Sequence, residues 1–332
     1  MNWSKGFEAR YYMTIVDARS WRDREKIKIT GGSVSRSEGG LRESADISCK
    51  SYDKGEQWIR IWMDARQEGA AEHIALFTGL ATSPDDDIDG PVTSNSLECY
   101  SVLKPAEDVL LPRGWYAPKG ASASILIMDL LNVTPAPVSI TGNAPRLMQN
   151  IIAEENESHL SMIDKILLAI NWRIRIAGDG SILVSAPADM PSARYSVTEN
   201  DSVEPKLTKS LDWYGCPNVL RVVSNDQSVT IRDDSETSQL SVQNRGREIW
   251  AEESSCELSD GETLYEYARR RLKELQKVSE NISYDRRFNP DLMVTDLVNL
   301  HYPEKKIDGD YYITSQRIEL GYGAKTTEEV VK

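Results

Sequence analysis

The hexapeptide Trp58-Ile59-Arg60-Ile61-Trp62-Met63 puts Ile59, Ile61 and Met63 on one side of an extended chain and Trp58, Arg60 and Trp62 on the other. A strand with one purely aliphatic face must cover that face with a core. Two indoles flanking a guanidinium on the opposite face suit a second packed surface better than open solvent. The segment is one of a series. Tyr11–Val16 is rich in strand formers, Lys26–Thr30 alternates and then meets Gly31-Gly32, a turn or bulge signal, and Ala45–Tyr52 alternates again. His73–Gly79 reads as a paired strand, and Leu97–Leu103 and Ser124–Leu131 as two more. Six or seven short strands in the first ~140 residues suggest a sandwich or barrel.

The pattern changes after residue 140. Asn143-Ala144-Pro145 has the composition of a helix start. Leu160, Ile163, Leu167 and Ile170 make one stripe of a helix over about 158–171. Trp172–Ile176, the tight-turn sequence Gly178-Asp179-Gly180, and Ser181–Ser185 read as a hairpin, and the proline-bearing stretch 186–205 as a linker. Strands are expected at Val219–Val223 and Ser228–Arg232. Ser259-Asp260-Gly261-Glu262 fits a capping box opening a helix to about Glu280, with Leu264, Ala268, Leu272 and Leu275 buried. Leu297–Tyr302 and Tyr311–Leu320 close the chain as strands around a turn at Lys306–Asp310. The fold class is therefore mainly β with α+β elements. Residues 1–140 are one β-domain, 141–205 a small helix-plus-hairpin connecting unit and linker, and 206–332 a second β-domain with one long helix at 259–280. A strand, acidic turn and Gly-linked return strand occur near 58–80 and again near 297–320, a faint internal echo.

The chain has 332 residues, enough for about two domains, and no stretch approaches the ~18 consecutive apolar residues of a membrane span. MNWSKGFEARYY lacks the apolar core of a secretory signal. The formal charge of −13 is spread out: 16 basic and 20 acidic residues over 1–142, 5 and 9 over 143–204, 18 and 23 over 205–332. Tight nucleic-acid binding by counterion release needs clustered Lys and Arg. The richest clusters, Arg19–Arg24 and Arg269-Arg270-Arg271, are diluted by nearby acids.

Catalytic signatures are sparse. Cys49, Cys99, Cys216 and Cys256 have no CxxC spacing and read as free thiols. His73, His159 and His301 stand apart from one another and read as structural or surface residues. No nucleophile elbow, HExxH, P-loop or GxGxxG occurs. No catalytic or cofactor-binding residues and no cofactor are expected. Asp85, Asp87, Asp89 and Gly90 match positions 1, 3, 5 and 6 of a calcium loop, but position 12 is Ser96. Asp85, Asp87 and Asp89 are weak metal candidates within what reads as a solvated acidic loop. The 8 Trp and 14 Tyr against 3 Phe favour interfaces, or sugar stacking.

The last third carries a resemblance. Glu262–Ala268 opens a helix continuing through Arg271–Gln276. It is followed by Phe288-Asn289-Pro290-Asp291-Leu292, Thr295–Leu300 and Asp308-Gly309-Asp310-Tyr311-Tyr312-Ile313. This resembles the phage tail baseplate hub proteins, whose helix with a YA…L motif precedes a "GD-V-L" strand and a "DG-Y-I" strand. Thr295 stands where that pattern has glycine. Ala71–Gly79 is similar to the family's return strand, and Trp172–Ser185 to its connecting unit. The resemblance implies two tube-like β-barrel or sandwich domains joined by a small α/β unit, and a homotrimer forming a pseudo-sixfold ring. That ring joins the hexameric tail tube to the central spike, with baseplate wedge and tape measure proteins as further partners. DNA passes through without specific binding, and there is no membrane insertion. It implies a non-enzymatic place in a virion tail or contractile injection particle, assembled in the bacterial host cytoplasm. The alternative from the Trp and Tyr content is a carbohydrate-binding or glycan-degrading tail module.

Overall fold

A computed structural model describes the chain except residues 51, 90, 91, 188, 190–193, 199, 200, 212, 225, 226, 254–262 and 277–279. The chain divides into two compact units: Met1–Lys206 with Tyr284–Val330, and Leu207–Ser283 with Val331–Lys332. The expected C-terminal domain is thus split. Leu297–Tyr302 and Ile307–Glu319 lie in the first unit, and 207–283 make up the second.

The first unit is built on one open sheet. Its N-terminal strands are β1 (Glu8–Val16), β2 (Asp23–Ile27), β3 (Ile29–Ser37), β4 (Glu43–Cys49), β5 (Gln57–Gln67), β6 (Ala70–Ala81), β7 (Asp85–Asp89) and β8 (Val92–Ser101). They are ordered β3-β4-β8-β6-β5-β1-β2, with β7 attached to β8. On the other side of β3 lie Ile307–Glu319, then Lys325–Val331, then Glu280–Arg287. The seam pairs Ser33–Ser37 antiparallel with Ser315–Glu319. The chain from β2 into β3 turns back toward β1, yet the sheet does not close into a barrel.

Alternation explains this layout. Ile59, Ile61 and Met63 have no exposed surface and share a core with Met13, Val34, Ile47, Phe77, Leu97 and Ile318. Each contributes roughly 1.5–3 kcal/mol of burial. Gly31-Gly32 is a bulge, as the sequence indicates: the β3–β4 register shifts between Ile29 and Gly31. Gly32 has φ +138, and a Cβ there would lie 2.1 Å from the Asp46 carbonyl.

Several expectations are corrected. Ser124–Leu131 is a helix, Ala123–Leu131, not a strand. Ala123, Ile127, Leu130 and Leu131 are buried at helical spacing, and a short unbroken apolar run fits either period. No helix begins at Asn143. That segment is instead strapped to 120–122 by Gly120 N–H to Leu147 O, Leu147 N–H to Ala121 O, and Arg146 to the Gly120 carbonyl. The 186–205 stretch contains a strand, Arg194–Thr198, paired parallel with Leu297–Tyr302. Asp85–Asp89 is strand β7, paired Asp85 to Ser96 through Asp89 to Val92, not a loop. Asp308–Asp310 also lie in a strand; the turn falls at Pro303–Lys306, where Lys306 has φ +55.

A second apolar core of the first unit spans residues 102–184. It joins Val102, Leu103 and Ala106 to Ile127, Leu130, Ile163, Ile166, Ile174 and Val184. Helix His159–Ile170 is capped by Ser158, whose side chain accepts from the Ser161 N–H. Arg173–Ile176 and Ile182–Ser185 form the expected hairpin.

In the second unit, Val219–Ser224 pairs antiparallel with Gln227–Arg232 and parallel with Trp250–Glu253. Helix Leu264–Leu275 packs Tyr267, Ala268 and Leu272 on Leu220 and Val222. The helix is shorter than 259–280. Its capping box is Thr263 with Glu266, while Ser259 and Glu262 lie outside the described residues.

Candidate functional site

The strongest organising site is where the GDG hairpin meets β5 and β6. Arg60, 6 % exposed, donates from Nη1 to Asp23 Oδ1 (2.6 Å), from Nε to Thr78 Oγ1 (2.9 Å) and from Nη2 to the Asp179 carbonyl (3.0 Å). Trp21 Nε1 donates to the same carbonyl at 3.0 Å, and Thr78 Oγ1 to the Gly178 carbonyl at 2.8 Å. Trp58 and Trp21 pack at 5.6 Å against the α/β core. The Trp58/Arg60/Trp62 face is therefore a second packed surface, as its composition indicates. Gly178-Asp179-Gly180 turns the hairpin and also seats it on the sheet.

A cleft of about 290 Å³ opens beside this junction. Leu167, Trp172, Ile174 and Ile176 line one part, and Arg36, Arg42, Glu43, Arg175 and Thr295 another. Arg36, Arg42 and Arg175 are engaged. Arg42 pairs with Asp164 at 2.5 Å, and Arg175 Nη2 lies 2.7 Å from Asp296 Oδ1 and 2.9 Å from Thr295 Oγ1. Arg36 donates to the Leu76 carbonyl at 2.7 Å, and its Nε lies 3.2 Å from Glu43 Oε1 in a misaligned contact that leaves both Glu43 oxygens without a hydrogen bond. Burial pushes the Glu43 pKa up to about 7, against the lowering effect of Arg36.

The residues singled out by sequence are dispersed. His73 Nδ1 meets Asp64 at 2.6 Å and its ring stacks on Trp62 at 4.0 Å. His159 Nδ1 lies 3.0 Å from the Leu130 carbonyl, and His301 Nδ1 lies 3.2 Å from Asp308. Cys49, Cys99 and Cys216 are buried, and Cys256 lies outside the described residues. Arg270 and Arg271 reach Glu274, and Arg271 also reaches Glu253. Asp85, Asp87 and Asp89 sit on an extended strand, not wrapped as a calcium loop. Among the described residues no group of three or more His, Cys, Asp or Glu is arranged to hold a metal ion, and no helix is long and apolar enough to cross a membrane.

Two buried charged centres escaped the sequence reading. Glu43 shares the inward phase of β4 with Ala45, Ile47 and Cys49. Arg286 follows Ile282 and Tyr284 inward, and Glu328 follows Thr326. A charge in the apolar phase of a strand is the signal that marks them.

No family model matches the chain, and no curated protein matches it. Solved structures do, along its whole length. A prophage MuSo2 43 kDa tail protein from Shewanella oneidensis superposes with TM-score 0.69 at 13 % identity, covering 98 % of both chains. A tail protein from Neisseria meningitidis gives 0.70 at 15 %, covering 99 % of this chain and 97 % of that one. A prophage tail protein from Listeria monocytogenes gives 0.52 at 12 %, covering 97 % and 94 %. The chain has the fold of phage tail proteins, in keeping with the resemblance carried by its last third.

Proposed function

We propose that this chain is the structural hub of a phage or phage-like tail. It is a trimeric adaptor that joins the hexameric tail tube to the central spike, forms part of the axial channel, and works by assembly without catalysis. The observation that carries this reading is the end-to-end likeness to prophage tail proteins, with 98 % of each chain covered in one case. The open sheet supports it, because unpaired strand edges need cover and a ring of subunits supplies cover on two sides. The sheet halves on either side of the β3 seam are assigned as the two tube-like β-domains, so that three copies present six. Tube, spike, wedge and tape measure proteins are the partners, and the assembly sits in the tail after forming in the host cytoplasm. The even acidity suits a conduit for DNA, since each phosphate neutralised on the wall adds affinity and slows passage.

The test is to express the chain with its tail tube and spike proteins, measure mass by light scattering, and image the product. A ring of three copies bound to both partners is expected. A monomer that binds neither and is retained on glycan arrays overturns the hub and supports the carbohydrate-binding module.

A further inference from the structure

The cleft beside the hairpin junction is charged out of keeping with the rest of the chain. In a protein of net charge −13, Arg36, Arg42, Arg173 and Arg175 line it against Glu38, Glu43 and Asp164. All of these residues belong to the first unit. Arg42 is matched by Asp164, and Arg175 by Asp296. Arg173 and Glu38 are exposed. Arg36 and Glu43, by contrast, are buried cross-strand partners on β3 and β4, 6 % and 5 % exposed. Arg36 uses Nη2 on the Leu76 carbonyl, and its Nε has no hydrogen-bond partner. Neither Glu43 oxygen has one. A guanidinium and a carboxyl that are buried side by side, each short of hydrogen bonds, carry a desolvation cost that a ligand of the right chemistry recovers.

The sign of that ligand follows from the charges. Burial pushes the Glu43 pKa up to about 7, so below that pH its carboxyl has a proton to donate and Arg36 is a cation without a carboxylate. A carboxylate suits both donors, whereas an ammonium or guanidinium would face four arginines. The terminal torsion of a glutamic acid is soft, so the Glu43 O–H turns from Arg36 toward the cleft at little cost. The remaining wall is apolar, with Leu167, Trp172 and Ile174, and Leu168 beside them is 84 % exposed. The volume of about 290 Å³ is at the low end of the ~300–1,000 Å³ typical of small-molecule sites, and a free acid that filled it would leave Leu168 uncovered. A protein segment covers both. We propose that this cleft receives a glutamate or aspartate side chain from a segment of a partner tail protein, its carboxylate held by the Arg36 guanidinium and the Glu43 hydroxyl, and an apolar neighbour on the same segment covering Leu168. This extends the assembly reading above by naming the chemistry of one contact.

The test titrates the full-length chain with three blocked tripeptides: acetyl-Leu-Glu-Leu-amide and the same peptide with Gln or Lys in the middle. The readout is the indole N–H resonance of Trp172, which lines the cleft and is assigned with Trp172→Phe. The Glu peptide gives a saturable shift, the Gln peptide binds about tenfold more weakly, and the Lys peptide does not bind. Affinity for the Glu peptide falls about tenfold from pH 6 to pH 8, because Glu43 ionises and takes Arg36 for itself. The three histidines also titrate in this range, but none lines the cleft. Glu43→Gln keeps a donor that cannot ionise, so it keeps the pH 6 affinity and removes the pH difference. Leu168→Asp changes an exposed side chain, leaves the fold in place and weakens binding about tenfold. No saturable shift at up to about 10 mM peptide, an equal shift from the Lys peptide, or the same affinity at pH 6 and pH 8 overturns the site. The hub reading fails separately, in a chain that forms no ring with its tube and spike proteins.

Discussion

Arg286 and Glu328 form a fork-shaped ion pair with no access to solvent: Nη2 meets Oε1 at 2.5 Å and Nε meets Oε2 at 2.8 Å. Tyr284 donates to the same carboxylate at 2.6 Å and Gln316 at 2.7 Å, so its lone pairs are occupied. Burial acts to push the Glu328 pKa up, but the Arg286 charge and the four donated hydrogen bonds outweigh it and hold the carboxyl below its ordinary range. A folded-state pKa below the unfolded one adds stability that is complete above the unfolded value, near 4.5, and lost as pH falls through the folded value. Glu328→Gln should cost about 3–5 kcal/mol at pH 7, since it strands Arg286 in the core. Denaturant melts of the variant and the parent from pH 7 down to pH 3 check both points. The gap between them should narrow only at the acid end.

Gly178 fixes how the hairpin sits on the sheet. A Cβ at this position would fall 1.9 Å from the Ala75 carbonyl, a backbone atom that cannot step aside. Gly178→Ala should lift the Asp179 carbonyl off Arg60 and Trp21 and lose at least about 1–3 kcal/mol. The readout is a lower thermal midpoint together with a change in tryptophan near-ultraviolet dichroism, because Trp21 and Trp58 pack together beneath the turn.

Much of this arrangement is legible in the sequence because it is local. The two faces of Trp58–Met63, the Gly31-Gly32 bulge, the helix stripe at Leu160–Ile170 and the Trp172–Ser185 hairpin all follow from periodicity and turn chemistry within a dozen residues. What is not legible is non-local. The parallel pairing of Arg194–Thr198 with Leu297–Tyr302 joins segments about a hundred residues apart. β2 covers β1 only from Met13 onward, which no residue of β1 announces. The helix at Ala123–Leu131 was hidden by an apolar run too short to show its period.

Thr295 illustrates a departure with a readable cost. It has φ +78, a conformation that suits glycine and strains a β-branched residue, and it stands at the position where the hub pattern has glycine. Its hydroxyl accepts from Arg175 at 2.9 Å, in part offsetting the strain. Thr295→Ala keeps the left-handed backbone and loses the hydrogen bond, so it should be destabilised by about 1 kcal/mol. Thr295→Gly loses the same bond but relieves the backbone by a comparable amount, and should lie near the parent. Urea midpoints in the order parent and Gly above Ala are expected; Ala equal to Gly would show that the backbone carries no strain.

Glu43 sets the opposite pH trend from Glu328. Its carboxyl is buried at the cleft with neither oxygen hydrogen-bonded, and its pKa rises to about 7 in spite of Arg36. Between the unfolded value near 4.5 and this folded value, the native state holds a proton that the unfolded chain has released. Stability from this group is therefore full below pH 4.5, declines as pH rises through that window, and levels off above about 7. Glu43→Gln mimics the protonated side chain and cannot ionise. It should melt close to the parent at pH 5 and above it at pH 8, and the difference should grow through the interval between. Adding Arg36→Met to Glu43→Gln removes the neighbouring cation but not the expectation of a flat profile, because no carboxylate remains there to titrate. A parent-minus-variant difference that is constant from pH 5 to pH 8 would mean that Glu43 is already ionised in the folded chain and that its contact with Arg36 is a formed ion pair.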